Sequence, residues 1–174
     1  IDRLEKEWNR YPVLHLSFGG QNYAESTALD EVLEEFVATA EKRYGTDGMA
    51  KTLGSRFRAV LRQAHEKTGK KTVVLVDEYD KPLLDVMDLG IPTEKGPDTM
   101  SLEDYNRNVL KGFYSVFKEA DADLQFVLLT GVTKFSQVSV FSGFNQPDDI
   151  SMDERYEALC GITEEELYAA FDEP

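Results

Sequence analysis

Asp77 and Glu78 stand side by side directly after the aliphatic run Val73-Val74-Leu75-Val76, and they are the residues of this sequence best placed to do chemistry. A strand apolar throughout is expected in a parallel sheet covered on both faces. In such sheets ligands sit beyond the carboxyl ends of the strands, where this run delivers its acids. Magnesium carrying a triphosphate takes hard oxygen ligands and keeps several waters, and an aspartate at a strand tip can hold one of those waters. The next residue leaves the strand in another direction, so Glu78 can polarise the water that attacks the terminal phosphorus. The plain alternative is an acidic pair that opens a surface turn; the wholly apolar strand before it favours chemistry.

Thr130 and Thr133 are the second element of the site. Thr130 ends another apolar run, Phe126-Val127-Leu128-Leu129. Parallel neighbours bring their carboxyl ends together, so a hydroxyl there can sense the phosphate or the water. Capping of a strand or turn is the competing use, and Thr130 is the better candidate of the two. Lys134 can approach a phosphate but is better read as a solvated lysine. Two stretches imitate a glycine-rich phosphate loop without meeting its requirements. Gly69-Lys70-Lys71-Thr72 leads from helix into strand, the reverse of the required context. Gly48-Met49-Ala50-Lys51-Thr52 has no glycine before its lysine, and neither stretch can build the backbone nest that grips phosphate. His15 and His65 lie far apart, with no Cys/His cluster to suggest zinc.

Composition narrows the classes. The 174 residues suit one domain with a sizeable core. Acidic residues number 33 against 19 basic, a formal net charge of −14. Nucleic-acid binding rests on Lys/Arg charge, so this chain is not expected to grip nucleic acid by itself. The single cysteine, Cys160, excludes an internal disulfide, suits a reducing cytoplasm and reads as a small core residue. No apolar run reaches membrane-spanning length and no signal peptide opens the chain. The start at Ile1 rather than Met reads as a piece of something longer.

The elements that must position these residues follow from periodicity. Tyr11–Phe18 reads as a strand released by Gly19-Gly20. Helices are predicted over Ala28–Tyr44, with Gly45 as stop, and over about Ala50–Lys67. Asp80 and Pro82 predict the cap and first turn of a short helix after the second strand. Gly90–Met100 is a loop, and Ser101 with Asp104 caps a long helix. The third strand is Gln125–Thr130. An irregular stretch runs to Ile150, then come two short helices, the second opened by Thr163 with Glu166. The alternation predicts an α/β fold: a three-layer parallel sheet with helices on both faces, right-handed crossovers and a helical C-terminal tail.

These residues resemble the AAA-ATPase-like family of bacterial and archaeal proteins. The resemblance is carried by Trp8–Phe18, by Val73-Val74-Leu75-Val76-Asp77-Glu78-Tyr79-Asp80-Lys81-Pro82-Leu83 and by Asn108–Tyr114. It continues through Phe126–Ser136, Ile150-Ser151 and Gly161–Leu167, spanning nearly the whole chain in order. It implies a partial P-loop NTPase in which Val73–Glu78 is the Walker B segment. Asp77 then looks like the acid that binds magnesium, Glu78 like the base that activates water, and Thr130 or Thr133 like the sensor. It also implies a Walker A lysine upstream of Ile1 and, in many members, a restriction-nuclease-like domain after Pro174. Residues 1–135 would form the partial ATPase core, and residues 136–174 an irregular segment and short helices of the same domain.

In the strand order 5-1-4-3-2 of such ATPases, this chain would hold strands 2, 3 and 4. The strand ending at Thr130 would lose its neighbour, so its edge is expected to pair with another copy or to be covered by the C-terminal tail. The resemblance implies a cytoplasmic parent protein that hydrolyses ATP with Mg²⁺, and a fragment that binds nucleotide weakly or not at all. Nucleic acid would enter only through the downstream domain, and no membrane is expected. The main rival is a non-catalytic scaffold whose acids are vestigial. A phospho-acceptor receiver domain ranks lower, because Leu14–Phe18 lacks the acidic pair such a domain needs.

Overall fold

Three aliphatic runs separated by helix-forming sequence become three parallel strands: β1 (Val13–Ser17), β2 (Thr72–Asp77) and β3 (Leu124–Leu129). In this computed structural model, which describes residues 8–95, 97, 100–133, 147–156, 158–159 and 161–171, the order is β1-β2-β3. The acid-bearing β2 is therefore central. Ser17 pairs with Asp77 and Val76 with Leu129, so the three carboxyl ends meet on one side.

Helix α1 (Ala28–Tyr44) has the bounds its apolar stripe predicts, with Leu29, Leu33, Val37 and Ala40 buried. Gly45, at φ 101°, ends it in a backbone conformation that favours glycine. Helix α2 (Leu53–Thr68) starts later than Ala50, because Thr52 and Ser55 form a reciprocal capping box. Helix α3 (Lys81–Leu84) is a single turn. Helix α4 (Leu102–Glu119) is capped by Ser101, whose Oγ accepts from Asp104 N at 3.1 Å. After a 3₁₀ turn at Glu154–Tyr156, α5 (Glu164–Phe171) is opened by Thr163, whose Oγ1 accepts from Glu166 N at 3.2 Å.

One core joins the helices to one side of the sheet. Leu14, Leu16, Val74 and Val76 are buried there, with Val127 and Leu129 packed against them. The Phe57 ring stacks on Phe113 at 4.8 Å and meets Phe36 and Phe117 edge-on. Arg56 of α2 ties α1 down through Glu34 and Glu41, each at 2.7 Å.

The opposite side of the sheet is more open. Val13 is 40% exposed and Phe126 54%, while Val73, Leu75 and Leu128 are half-buried. Helices flank the parallel sheet, the α/β architecture that the alternation of strand and helix predicts.

Strand β3 forms an edge, and coverage by the C-terminal tail is not met by that tail's described residues, since α5 buries none of its side chains. Lys134, Cys160 and the boundary near residue 135 lie outside the described residues. Among those described, no helix is long and apolar enough to cross a membrane.

Candidate functional site

The sheet ladder continues one residue past β3. Thr130 N donates to Val76 O at 2.8 Å, and Tyr79 N donates to Thr130 O at 2.9 Å. Thr130 is thereby held level with Asp77, and its Oγ1 donates to Asp77 Oδ1 at 2.5 Å. Glu78 N donates to the same Oδ1 at 3.1 Å. Among the described residues no hydrogen bond reaches Asp77 Oδ2. The carboxylate is thus oriented by two donors on one oxygen, and the residue is exposed at the strand tip.

Glu78 leaves β2 with φ 53°, a left-handed conformation that costs a non-glycine residue about 1–2 kcal/mol. This turn sends its side chain toward β1, away from Thr130. A Cβ placed on Gly19 would lie 3.2 Å from Glu78 Oε1, so the bare glycine makes room for the carboxylate. Asp77 and Glu78 therefore diverge from the central strand, one toward β3 and the other toward β1. Both are exposed.

Thr133 does not join them. Its N and its Oγ1 each donate to Asp80 Oδ2 at 2.6 Å, and Val132 N adds a third donor at 3.0 Å. Asp80 is 1% exposed, and a carboxylate taken out of water requires such partners. The expected capping of α3 by Asp80 is corrected here: its side chain makes no cap hydrogen bond to the helix. Its three donors lie across the sheet in the segment that follows β3, and they outweigh a single local cap bond.

Two tyrosines frame the acids, and neither stands out in the sequence as anything but core. Tyr23 donates through its hydroxyl to Phe18 O at 3.0 Å, while its N donates to Asp85 Oδ2 at 3.2 Å. Lys81 Nζ pairs with Asp85 at 3.0 Å, so the end of β1 is tied to α3. Burial, then the charges of Asp85 and Glu78, push the Tyr23 phenol far up. Tyr79 donates from its hydroxyl to Thr133 O at 2.7 Å, and burial pushes its phenol up as well. Both phenols remain protonated donors at neutral pH. The signal for Tyr79 and Asp80 was their place just after Asp77-Glu78, where a turn must be fixed.

A single exposed carboxylate with an open oxygen suits magnesium that takes its other ligands from water and phosphate. It does not suit a metal held wholly by protein: among the described residues no group of three or more His, Cys, Asp or Glu could hold one.

A parallel sheet with flanking helices and polar groups converging at its carboxyl ends defines an α/β protein of P-loop-like fold. The family described as "Predicted AAA-ATPase" matches residues 1–141, and the chain belongs to it. It is also 42% identical over 166 residues to a protein of Azotobacter chroococcum mcd 1 described as "Uncharacterized protein in vnfD 5'region". That match covers 95% of this chain and 30% of the relative, so the chain spans less than a third of its relative's length. No solved structure matches the chain.

Proposed function

We propose that this chain is the Walker B half of a cytoplasmic ATPase that hydrolyses ATP to ADP and phosphate with Mg²⁺. The observation that carries the reading is the 2.5 Å hydrogen bond from Thr130 Oγ1 to Asp77 Oδ1 at the carboxyl end of the central strand. Asp77, fixed by Thr130 and Glu78 N, presents Oδ2 to a water of the metal. Asp77 would hold magnesium through that water, and the ion would supply positive charge to offset that of the phosphate. Glu78 is the general base that takes the proton of the attacking water, and the flexible carboxylate arm reaches from the β1 side of the strand tip. Thr130 serves as sensor, since it sits at the acid; Thr133 serves Asp80 instead.

The phosphate nest and its lysine would come from a Walker A segment outside this sequence. The open edge of β3 is where a further strand of the longer polypeptide, or a second copy, would add. Nucleotide affinity should then reside in that segment. Titration of Mg-ATP into this chain and into a version extended upstream tests the division. The extended protein should bind, and this chain should bind weakly or not at all. Tight binding by this chain alone contradicts the proposal.

A further inference from the structure

Asp80 puts its carboxylate to an unusual use. It stands where a helix N-cap stands, and an aspartate there normally accepts from the first turn, a contribution of about 1 kcal/mol. It forgoes that bond. Instead Oδ2 accepts from Val132 N, Thr133 N and Thr133 Oγ1 at 3.0, 2.6 and 2.6 Å, all in the segment just after Thr130. The neighbouring Tyr79 holds the same segment at both ends, through its N to Thr130 O and its hydroxyl to Thr133 O. Tyr79 is anchored in turn, being 4% exposed and part of the main core. Gly131 permits the approach: a Cβ there would lie 2.6 Å from Tyr79 Cε1 and 2.7 Å from Asp80 Oδ1.

We infer that Asp80 is a positioning residue for the ATPase chemistry proposed above, clamping residues 131–133 so that the Thr130 hydroxyl stays on Asp77. The inference rests on that functional reading. Its geometry is simple. Asp77 and Asp80 belong to one short turn, so a segment gripped by Asp80 has a fixed relation to Asp77. Thr130 is the first residue of the gripped segment, so the grip adds to the two ladder bonds that hold its hydroxyl on Asp77. The charge-assisted bonds on a buried oxygen are strong enough to hold it, and their loss frees two backbone amides and a hydroxyl together.

The test uses the full-length protein with Asp80→Asn, Thr133→Val and Thr133→Ser, reading Mg-ATP turnover and hydrogen exchange at the Val132 and Thr133 amides. In Asp80→Asn, exchange at both amides should speed up by about ten-fold and kcat should fall by about ten-fold, with KM for Mg-ATP within about two-fold. Thr133→Val, which removes one donor and keeps the volume, should lower kcat by about three-fold, and Thr133→Ser should restore it. If Asp80→Asn fails to fold, the Thr133 pair decides alone. Unaltered exchange, faster exchange with unchanged kcat, or a Thr133→Ser variant as impaired as Thr133→Val would each overturn the clamp while leaving the ATPase reading intact. A wild-type protein that hydrolyses no ATP overturns that reading, and this role with it.

Discussion

Alanine at Gly131 would carry its Cβ to 2.6 Å from Tyr79 Cε1 and 2.7 Å from both Tyr79 Cδ1 and Asp80 Oδ1. The ring cannot move aside, because Tyr79 is 4% exposed and packed in the core, and Asp80 is 1% exposed. The backbone of residues 130–133 must therefore retreat, by roughly 0.8 Å before the closest approach becomes ordinary contact. A retreat of that size stretches the 2.6 Å bonds from Thr133 to Asp80 out of hydrogen-bonding range. Overpacking and the weakened bonds together should cost about 2 kcal/mol. Urea denaturation measures that loss, and Mg-ATP turnover of the full-length protein should fall with it as Thr130 leaves Asp77. Gly112→Ala is the control: it lies inside α4 with nothing within 4 Å of its added Cβ, and should gain about 0.5–1 kcal/mol. A Gly131→Ala protein within about 0.5 kcal/mol of wild type, with full turnover, would refute the reasoning.

Asn106 is 1% exposed and donates from Nδ2 to Pro82 O at 2.9 Å, joining α4 to α3. Asn106→Leu should cost about 1–3 kcal/mol in denaturant unfolding, because it strands that carbonyl; a neutral result would show that the carbonyl finds another partner. Glu41 titrates below its ordinary 4.5, chiefly through its hydrogen bond to Arg56. A depressed acid contributes stability that is full above the unfolded value and lost as pH falls through the folded one. The stability difference between wild type and Arg56→Met should thus hold above pH 4.5 and shrink below it, and a pH-independent difference contradicts the pairing. Glu78→Gly should relieve the positive-φ strain of about 1–2 kcal/mol, offset by added freedom in the unfolded chain, for a net gain of about 0.5 kcal/mol. A clear loss of stability would mean the conformation is not strained.

Much of this was legible in the sequence because the relevant forces are local. The stripe Leu29, Leu33, Val37 and Ala40 and the stop at Gly45 bound α1, and Ser101 with Asp104 opens α4. The aliphatic runs of β2 and β3 declare a parallel sheet, and their ends declare where Asp77 and Thr130 lie. Start positions depend on side-chain pairs that periodicity does not see, as the Thr52–Ser55 box at α2 illustrates. The end of the apolar run already favours Thr130, but the partnership of Thr133 with Asp80 was illegible for a different reason. Asp80 looks like a helix cap from its neighbours, and only the sheet brings Val132 and Thr133 across to claim it. The turn of Glu78 toward Gly19 is likewise set by one positive φ that no residue type there announces.

In the proposed reaction Glu78 takes the proton of the attacking water while the phosphates are held elsewhere. Glu78→Gln in the full-length protein, followed by Mg-ATP binding and single-turnover hydrolysis, tests it most directly. Binding should remain within about two-fold of wild type while hydrolysis falls by at least about 10²-fold, the usual worth of a positioned base. Hydrolysis at the wild-type rate would remove Glu78 from the reaction and, with it, the account of this strand end.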